Sequence, residues 1–173
     1  FSQHAFAVYP LTVQAIGAQA IEVPAIEFGH DLPSMARAVR GDTRIVFVAN
    51  PNNPTGTFVS AEALIAFIKS ISPNVVIVVD EAYIDFASPI DDYSAVGLIQ
   101  KYPNVVVLQT LSKAFGLAAI RCGFCIGPPD IIQLLNNVKA PYNINALTSR
   151  LATAALDESS MTPLSMETDV AHR

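Results

Sequence analysis

The sequence is poor in charge: 14% of its 173 residues are Asp, Glu, Lys or Arg, whereas 51% are hydrophobic. Such a composition is expected of strands covered on both faces or of surfaces that meet a partner. No run of about eighteen apolar residues occurs, however, so the sequence predicts no membrane-spanning helix. A basic stripe is also lacking and the net charge is −5, which argues against a general nucleic-acid binder. Because the first residue is Phe1 rather than Met, we expect the N-terminus of the protein to be missing.

Cysteine is scarce too, and its two occurrences, Cys122 and Cys125, form a C-x-x-C pair in "IRCGFCIG". This spacing can indicate a redox pair or half of a zinc site. The surrounding run has the pattern of a strand, in which positions three apart point to opposite faces. No second Cys or His pair follows to complete a metal site, so we predict no metal and expect two buried, reduced core cysteines.

Apolar strand-like runs alternate with helical patterns along most of the chain, which predicts an α/β fold. The candidate strands are Ala20–Val23, Arg44–Ala49, Val75–Val79, Val105–Gln109 and Ile120–Ile126. Three of these, "RIVFVA", "VVIVV" and "VVVLQ", are almost continuously apolar, as parallel strands buried on both faces are. Only ten residues separate Gln109 from Ile120, too few for a crossover helix, so we expect the last strand to run antiparallel.

Three helices are predicted between and after these strands. Ser60 could cap the first, the Pro128-Pro129 pair could open the second, and the third would run from about residue 145 to 158. Their predicted buried stripes are Leu64, Phe67, Ile68 and Ile71, then Ile131, Leu134, Leu135 and Val138, then Leu147, Leu151, Ala154 and Ala155. The tail from 159 to 173 loses this periodicity, so we expect it to be divergent and loosely ordered.

The loop "VFVANPNNPTGT" concentrates turn-forming residues at the end of a buried strand. A plain connection needs only one or two such residues. Pro51 and Pro54 fix φ at two points, and Gly56 lets the chain turn. The loop is therefore predicted to be rigid and to present Asn53 to a ligand.

Three polar residues fall at the carboxyl ends of the predicted parallel strands, where α/β sheets bind their ligands: Asn53, Asp80 and Lys113. Asp80 could hold the metal of a nucleotide triphosphatase, but the G-x-x-x-x-G-K-[ST] loop which that reading needs does not occur. It could also simply cap the following turn. Lys113 lies among apolar and small residues, which would favour a neutral, nucleophilic amine able to form a Schiff base, although a lone loop lysine is usually just solvated.

The motifs "ANPNNPTGT", "VVDEAYIDF" and "TLSKAFGLAAIRCGF", in this order, resemble the fold-type I aminotransferases that use pyridoxal 5′-phosphate (PLP), and most closely their histidinol-phosphate branch. The resemblance implies a three-layer α/β/α fold with a mostly parallel sheet and one antiparallel strand. Residues 1–158 would form an incomplete PLP-binding large domain.

The same resemblance implies roles for individual residues. Lys113 would bond PLP covalently and shuttle a proton, Asp80 would pair with the ring nitrogen, and Tyr83 and Asn53 would bind the phenolic oxygen. Further residues would bind the phosphate or stack on the ring. They are Arg121, Ser112 and Thr110 for the phosphate, and Phe6 for the ring face.

Ala119 departs from the family pattern, since glycine is common there. The family's chains are also about twice as long, and the absent parts carry further phosphate- and substrate-binding residues. The resemblance implies a cytoplasmic homodimer that transfers an amino group from histidinol phosphate to 2-oxoglutarate. Two alternatives stay open: a related enzyme that decarboxylates threonine phosphate, and a truncated, non-catalytic module of the same fold.

Overall fold

The structure is a computed structural model, which describes residues 1–157; the predicted tail from 159 to 173 lies outside the described residues. Four strands and five α-helices occur in this part of the chain. In chain order they are α1 (Val8–Ala15), α2 (Leu32–Ala38), β1 (Ile45–Ala49), α3 (Ala61–Ser70), β2 (Val76–Asp80), β3 (Val105–Thr110), β4 (Gly123–Ile126), α4 (Pro129–Val138) and α5 (Ala146–Asp157). Short 3₁₀ turns cover Ile84–Phe86, Ile90–Asp92, Val96–Leu98 and Ala118–Ile120.

The four strands form one sheet in the order β1-β2-β3-β4. β1, β2 and β3 are parallel, whereas β4 pairs antiparallel with β3, with Thr110 opposite Gly123. The antiparallel last strand is therefore confirmed, and the short β3–β4 connection explains it. The register places Ala49 beside Asp80, so that β1 and β2 end at the same edge.

One face of the sheet carries the main hydrophobic core, which α2 and α3 cover. The strand residues Val48, Ile77 and Val79 have no exposed surface there. Burying one such aliphatic side chain contributes about 1.5–3 kcal/mol. Both helices begin at side-chain caps: Asp31 accepts the Ser34 backbone N–H at 3.0 Å, and Ser60 accepts that of Ala63 at 3.2 Å, as predicted for Ser60.

The opposite face is covered by α1 and by the segment that leads into α4. The Tyr9 ring of α1 stacks on Phe47 of β1, with 4.7 Å between ring centres. Near the start of α4, Gly127 lies against Val106 of β3. Helices on both faces of a mostly parallel sheet confirm the predicted three-layer α/β/α class.

The predicted strand Ala20–Val23 is wrong: it contributes a single parallel bridge, between Val23 and Ser2. Its hydrogen-bonding neighbour is the short segment Phe1–Gln3, through bonds such as Gln3 N–H to the Val23 carbonyl at 2.7 Å. β-propensity alone does not produce a strand, because a ladder also needs a neighbour of matching length.

The predicted buried stripes of the last two helices are also wrong, although both helices form. Val138 of α4 is 80% exposed and Leu147 of α5 is 68% exposed, and the buried residues of α5 are instead Thr148 and Ala152. Periodicity identifies an apolar face but not the surface that covers it.

Both cysteines are free, but only Cys122 is buried. Cys125 lies on β4, at the end of the strand order, and its side chain is exposed, so the prediction of two buried cysteines fails for Cys125. Cys122 precedes β4, because the predicted strand Ile120–Ile126 begins only at Gly123, so the two cysteines do not share one strand. Within residues 1–157, we find no helix with the length and apolarity required to cross a bilayer.

Candidate active site at the carboxyl edge of the sheet

A small cavity of about 50 Å³ opens where β1 and β2 end. Its lining residues are Phe6, Tyr9, Ala49, Pro51, Asn53, Asp80, Ala82, Tyr83 and Lys113. Five of the eight predicted site residues are thus brought together from four separate segments. A larger cavity of about 390 Å³ lies between α1, α2 and β1, but none of the predicted site residues lines it. We therefore place the candidate site at the smaller cavity.

Asp80, the last residue of β2, binds a different donor with each carboxylate oxygen. Oδ1 accepts the backbone N–H of Ala82 at 3.1 Å, which is the turn cap that the sequence allowed. Oδ2 accepts the hydroxyl of Tyr9 at 2.7 Å. The carboxylate therefore caps its own turn and also faces the cavity.

Tyr9 is a site residue that the sequence reasoning missed. Burial, followed by the charge of Asp80 and the hydrogen bond to it, holds the pKa of the Tyr9 phenol far above its usual range. The phenol is consequently neutral and acts as the donor. The sequence did contain one signal: Tyr9 follows Phe6 by three residues, and residues three apart are neighbours on a helical surface. The two rings meet edge-to-face, with 6.1 Å between their centres.

Tyr83 connects the other polar groups of the cavity. The Asn53 side-chain amide donates to its hydroxyl at 3.4 Å, and the Nζ atom of Lys113 lies 5.1 Å from its ring centre. That separation is within the range of a cation–π interaction. Lys113 is exposed, contrary to the shielded environment expected from its apolar neighbours in sequence.

The loop that carries Asn53 is held by two further asparagines that the sequence analysis did not single out. Asn50 has no exposed surface and bonds to both backbone groups of Val59. The Asn52 side-chain amide donates to the His4 carbonyl at 3.1 Å and to the Thr55 hydroxyl at 2.7 Å. Gly56 has φ = 69°, as its predicted role in the turn requires.

The three predicted phosphate-binding residues lie outside the cavity lining. The Thr110 hydroxyl donates to the Cys122 carbonyl at 3.2 Å and accepts the Ser112 N–H at 3.1 Å, which fixes the start of the Lys113 loop. Arg121 is exposed, and its guanidinium donates to the Ala118 carbonyl at 3.0 Å. The structure therefore brings Thr110 and Ser112 together but does not bring Arg121 to them. Ala119, where the family pattern has glycine, is exposed.

Glu81, next to Asp80, points to the other face of the sheet and is buried. It accepts hydrogen bonds from Ser94 Oγ at 3.0 Å, from Gln109 Nε2 at 2.9 Å and from the backbone N–H of Ala95. Burial raises the pKa of the Glu81 carboxyl, and these hydrogen bonds oppose that rise. Glu81 thus fixes the end of β2 from behind the site, a role the sequence analysis missed.

Within the described part of the chain, no group of three or more His, Cys, Asp or Glu side chains is arranged to hold a metal ion. The polar groups that converge are a carboxylate, an amine, an amide and two phenols. Such a set suits an organic ligand with several polar atoms rather than a cation.

Comparison with known proteins agrees with this geometry. The family model for aminotransferase class I and II matches residues 2–172, so the chain belongs to this family. It is 47% identical over 171 residues to histidinol-phosphate aminotransferase 2 of Ralstonia nicotianae, covering 99% of this chain and 46% of the relative. A second relative, histidinol-phosphate aminotransferase 2 of Pseudomonas fluorescens, is 50% identical over 158 residues, covering 91% of this chain and 43% of the relative. The chain thus spans less than half the length of these curated relatives.

Solved structures support the fold. The histidinol-phosphate aminotransferase of Sinorhizobium meliloti, crystallised in complex with PLP, superposes with a TM-score of 0.85 at 29% identity, covering 92% of this chain and 43% of that chain. The L-threonine-O-3-phosphate decarboxylase of Porphyromonas gingivalis reaches a TM-score of 0.82 at 20% identity, covering 96% of this chain and 49% of that chain. The second likeness shows a shared fold only.

Proposed function

We propose that this chain is the PLP-binding core of an aminotransferase that transfers the amino group of histidinol phosphate to 2-oxoglutarate. The observation that carries the proposal is the convergence of Asn53, Asp80, Tyr83 and Lys113 on one cavity. Family membership and the names of relatives 47% and 50% identical support the reaction type and the substrate. A cytoplasmic homodimer is part of the proposal for the complete protein, and it depends on the resemblance to the family.

The residues of the cavity match the chemistry of PLP. The cofactor presents an aldehyde for an amine, a ring nitrogen for a carboxylate and a phenolic oxygen for hydrogen-bond donors. Lys113 provides the amine, Asp80 the carboxylate, and Tyr83 and Asn53 the donors. Phe6 adds an aromatic ring at the rim of the cavity.

In this proposal, each residue has a defined task. When bound, PLP supplies an electron sink for the bond broken at the substrate α-carbon. Lys113 would hold the cofactor and would carry the proton that leaves the substrate α-carbon. Asp80 would bind the ring nitrogen and keep it protonated. The Asn53 amide and the Tyr83 hydroxyl would orient the phenolic oxygen.

The loop that carries Asn53 has the task of positioning the Asn53 side chain. Because Asn50 and Asn52 anchor this loop to the rest of the chain, the Asn53 amide needs no ordering at each turnover. Thr110 and Ser112 precede Lys113 on its loop and are proposed to bind the phosphate together with Arg121. In the structure the Arg121 guanidinium donates to the Ala118 carbonyl, and its remaining N–H groups would bind the phosphate.

The test is a PLP titration of the complete protein, followed by absorption near the edge of the visible range. A lysine-bound cofactor gives a band there, which Lys113→Ala should abolish because no other amine of the described part of the chain lines the cavity. Lys101→Ala, at an exposed lysine outside the cavity, is the matched control and should keep the band. A band that survives in Lys113→Ala would remove Lys113 from its role.

Product analysis separates the two remaining alternatives. Glutamate formation from histidinol phosphate and 2-oxoglutarate supports transamination, whereas carbon dioxide release from threonine phosphate supports the decarboxylase. A complete protein that binds no PLP would instead be the non-catalytic module.

A further inference from the structure

Tyr9 lies at the centre of an aromatic group on the face of the sheet that α1 covers, opposite the main hydrophobic core. Its ring stacks on Phe47 at 4.7 Å with an interplanar angle of 14° and meets the edge of Phe6 at 6.1 Å and 88°. Tyr9 is 4% exposed. These contacts fix the ring, so the position of its hydroxyl is fixed as well.

The hydroxyl of Tyr9 donates a hydrogen bond to Asp80, which lies 71 residues away in sequence. The Ala82 N–H donates to Oδ1 of Asp80 and the Tyr9 hydroxyl donates to Oδ2, so each carboxylate oxygen accepts one hydrogen bond. Two donors on two oxygens fix the plane of the carboxylate and leave further lone pairs free.

We propose that Tyr9 is a positioning residue, whose hydroxyl holds the Asp80 carboxylate in the orientation that binds the ring nitrogen of the cofactor. This inference rests on the proposed function. Tyr9 acts through Asp80 and need not touch the cofactor. Through its edge contact with Phe6, the same side chain connects the carboxylate to the residue predicted to stack on the ring.

A merely structural tyrosine would fill the space between Phe6 and Phe47, and a phenylalanine would do the same. The two roles therefore separate on one atom, the Tyr9 hydroxyl oxygen. Loss of this oxygen should lower the affinity of a ligand that binds to Asp80 and should not change the affinity of a ligand that makes no contact with Asp80.

The experiment measures the dissociation constants of two ligands for the complete protein and its Tyr9→Phe variant. One ligand is PLP, and the other is its deaza analogue, in which C–H replaces the ring nitrogen. Tyr9→Phe should weaken PLP binding roughly tenfold, the order expected for a lost hydrogen bond to a charged group. It should leave the affinity for the deaza analogue unchanged. Tyr102→Phe, the same substitution at the edge of the main core, is the control and should alter neither affinity.

Two results would overturn the inference while leaving the proposed function intact: unchanged PLP affinity in Tyr9→Phe, or equal losses for both ligands. If the unmodified protein binds no PLP, the proposed function itself fails. Should Tyr9→Phe not fold, difluorotyrosine at position 9 keeps the ring and its hydroxyl, replaces two ring hydrogens by fluorine and makes the hydroxyl more acidic. It should then shift the PLP affinity and not that of the deaza analogue, and no shift in either would refute the role of Tyr9.

Discussion

The side chain of Asn50 forms a closed pair of hydrogen bonds with the backbone of Val59. Nδ2 donates to the Val59 carbonyl at 3.1 Å, and Oδ1 accepts the Val59 N–H at 2.9 Å. The amide thereby makes the same pair of hydrogen bonds that a neighbouring β-strand residue would make, and it joins the two ends of the loop that carries Asn53. Both partners are buried, so water cannot replace these bonds.

Asn50→Ala should therefore destabilise the protein by about 2–5 kcal/mol, since it leaves two buried backbone groups of Val59 without partners. Urea unfolding measures the loss, and PLP affinity should fall with it because the Asn53 loop loses its anchor. Asn74→Ala, at an exposed asparagine, is the matched control and should change the free energy of unfolding by less than about 0.5 kcal/mol. Equal stability of the two variants would contradict the anchoring role.

His30 gives the protein a pH dependence of known sign. Its Nε2 donates to the Ala49 carbonyl at 2.8 Å, while its Nδ1 is buried without a hydrogen-bond partner among residues 1–157. Burial lowers the pKa of His30 below its usual 6.5, although the hydrogen bond to Ala49 opposes this. The folded state therefore prefers the neutral ring, and the unfolded state binds the proton first as pH falls.

The contribution of neutral His30 is fully present above about pH 6.5 and is lost as pH falls towards the lowered folded-state pKa. In this window the free energy of unfolding should decrease by up to about 1.4 kcal/mol per pH unit from this one group. His30→Gln keeps a donor near Ala49 but cannot titrate. Between about pH 7.5 and about pH 5.5, its urea midpoint should therefore vary less than that of the unmodified protein. The same substitution at the exposed His4 is the matched control. An identical pH dependence in His30→Gln and the unmodified protein would be the contrary result.

Gly127 is required by a close approach and not by its backbone angles. A Cβ atom at this position would lie 2.7 Å from Val106 Cγ1, and Val106 is a buried, β-branched residue with little rotamer freedom. Gly127→Ala should consequently cost about 1–3 kcal/mol through overpacking.

Thermal unfolding checks the effect of Gly127→Ala against Gly97→Ala, whose Cβ would meet no atom of the described residues within 4 Å. Adding Val106→Ala should relieve the clash, so the double variant should lose less stability than the two single changes summed. Additive losses would show that the two residues do not compete for space.

Much of the fold follows from local sequence. The continuous apolar runs predicted β1, β2 and β3, and the ten residues before Ile120 predicted the direction of β4, because strand burial and connection length are local properties. The failures have one cause. Ala20–Val23 and the apolar stripes of α4 and α5 have the right pattern, but whether a strand is paired or a face is covered depends on its neighbours.

The same division applies to the candidate site. The sequence by itself determined which chemical groups follow the strands, namely Asn53, Asp80, Tyr83 and Lys113, because the carboxyl ends of parallel strands share one edge. Only the tertiary structure revealed the partners that hold them, such as Tyr9 on Asp80 and Val59 on Asn50. A hydrogen bond depends on distances of a few tenths of an ångström between residues far apart in the chain, and no local pattern encodes such a distance.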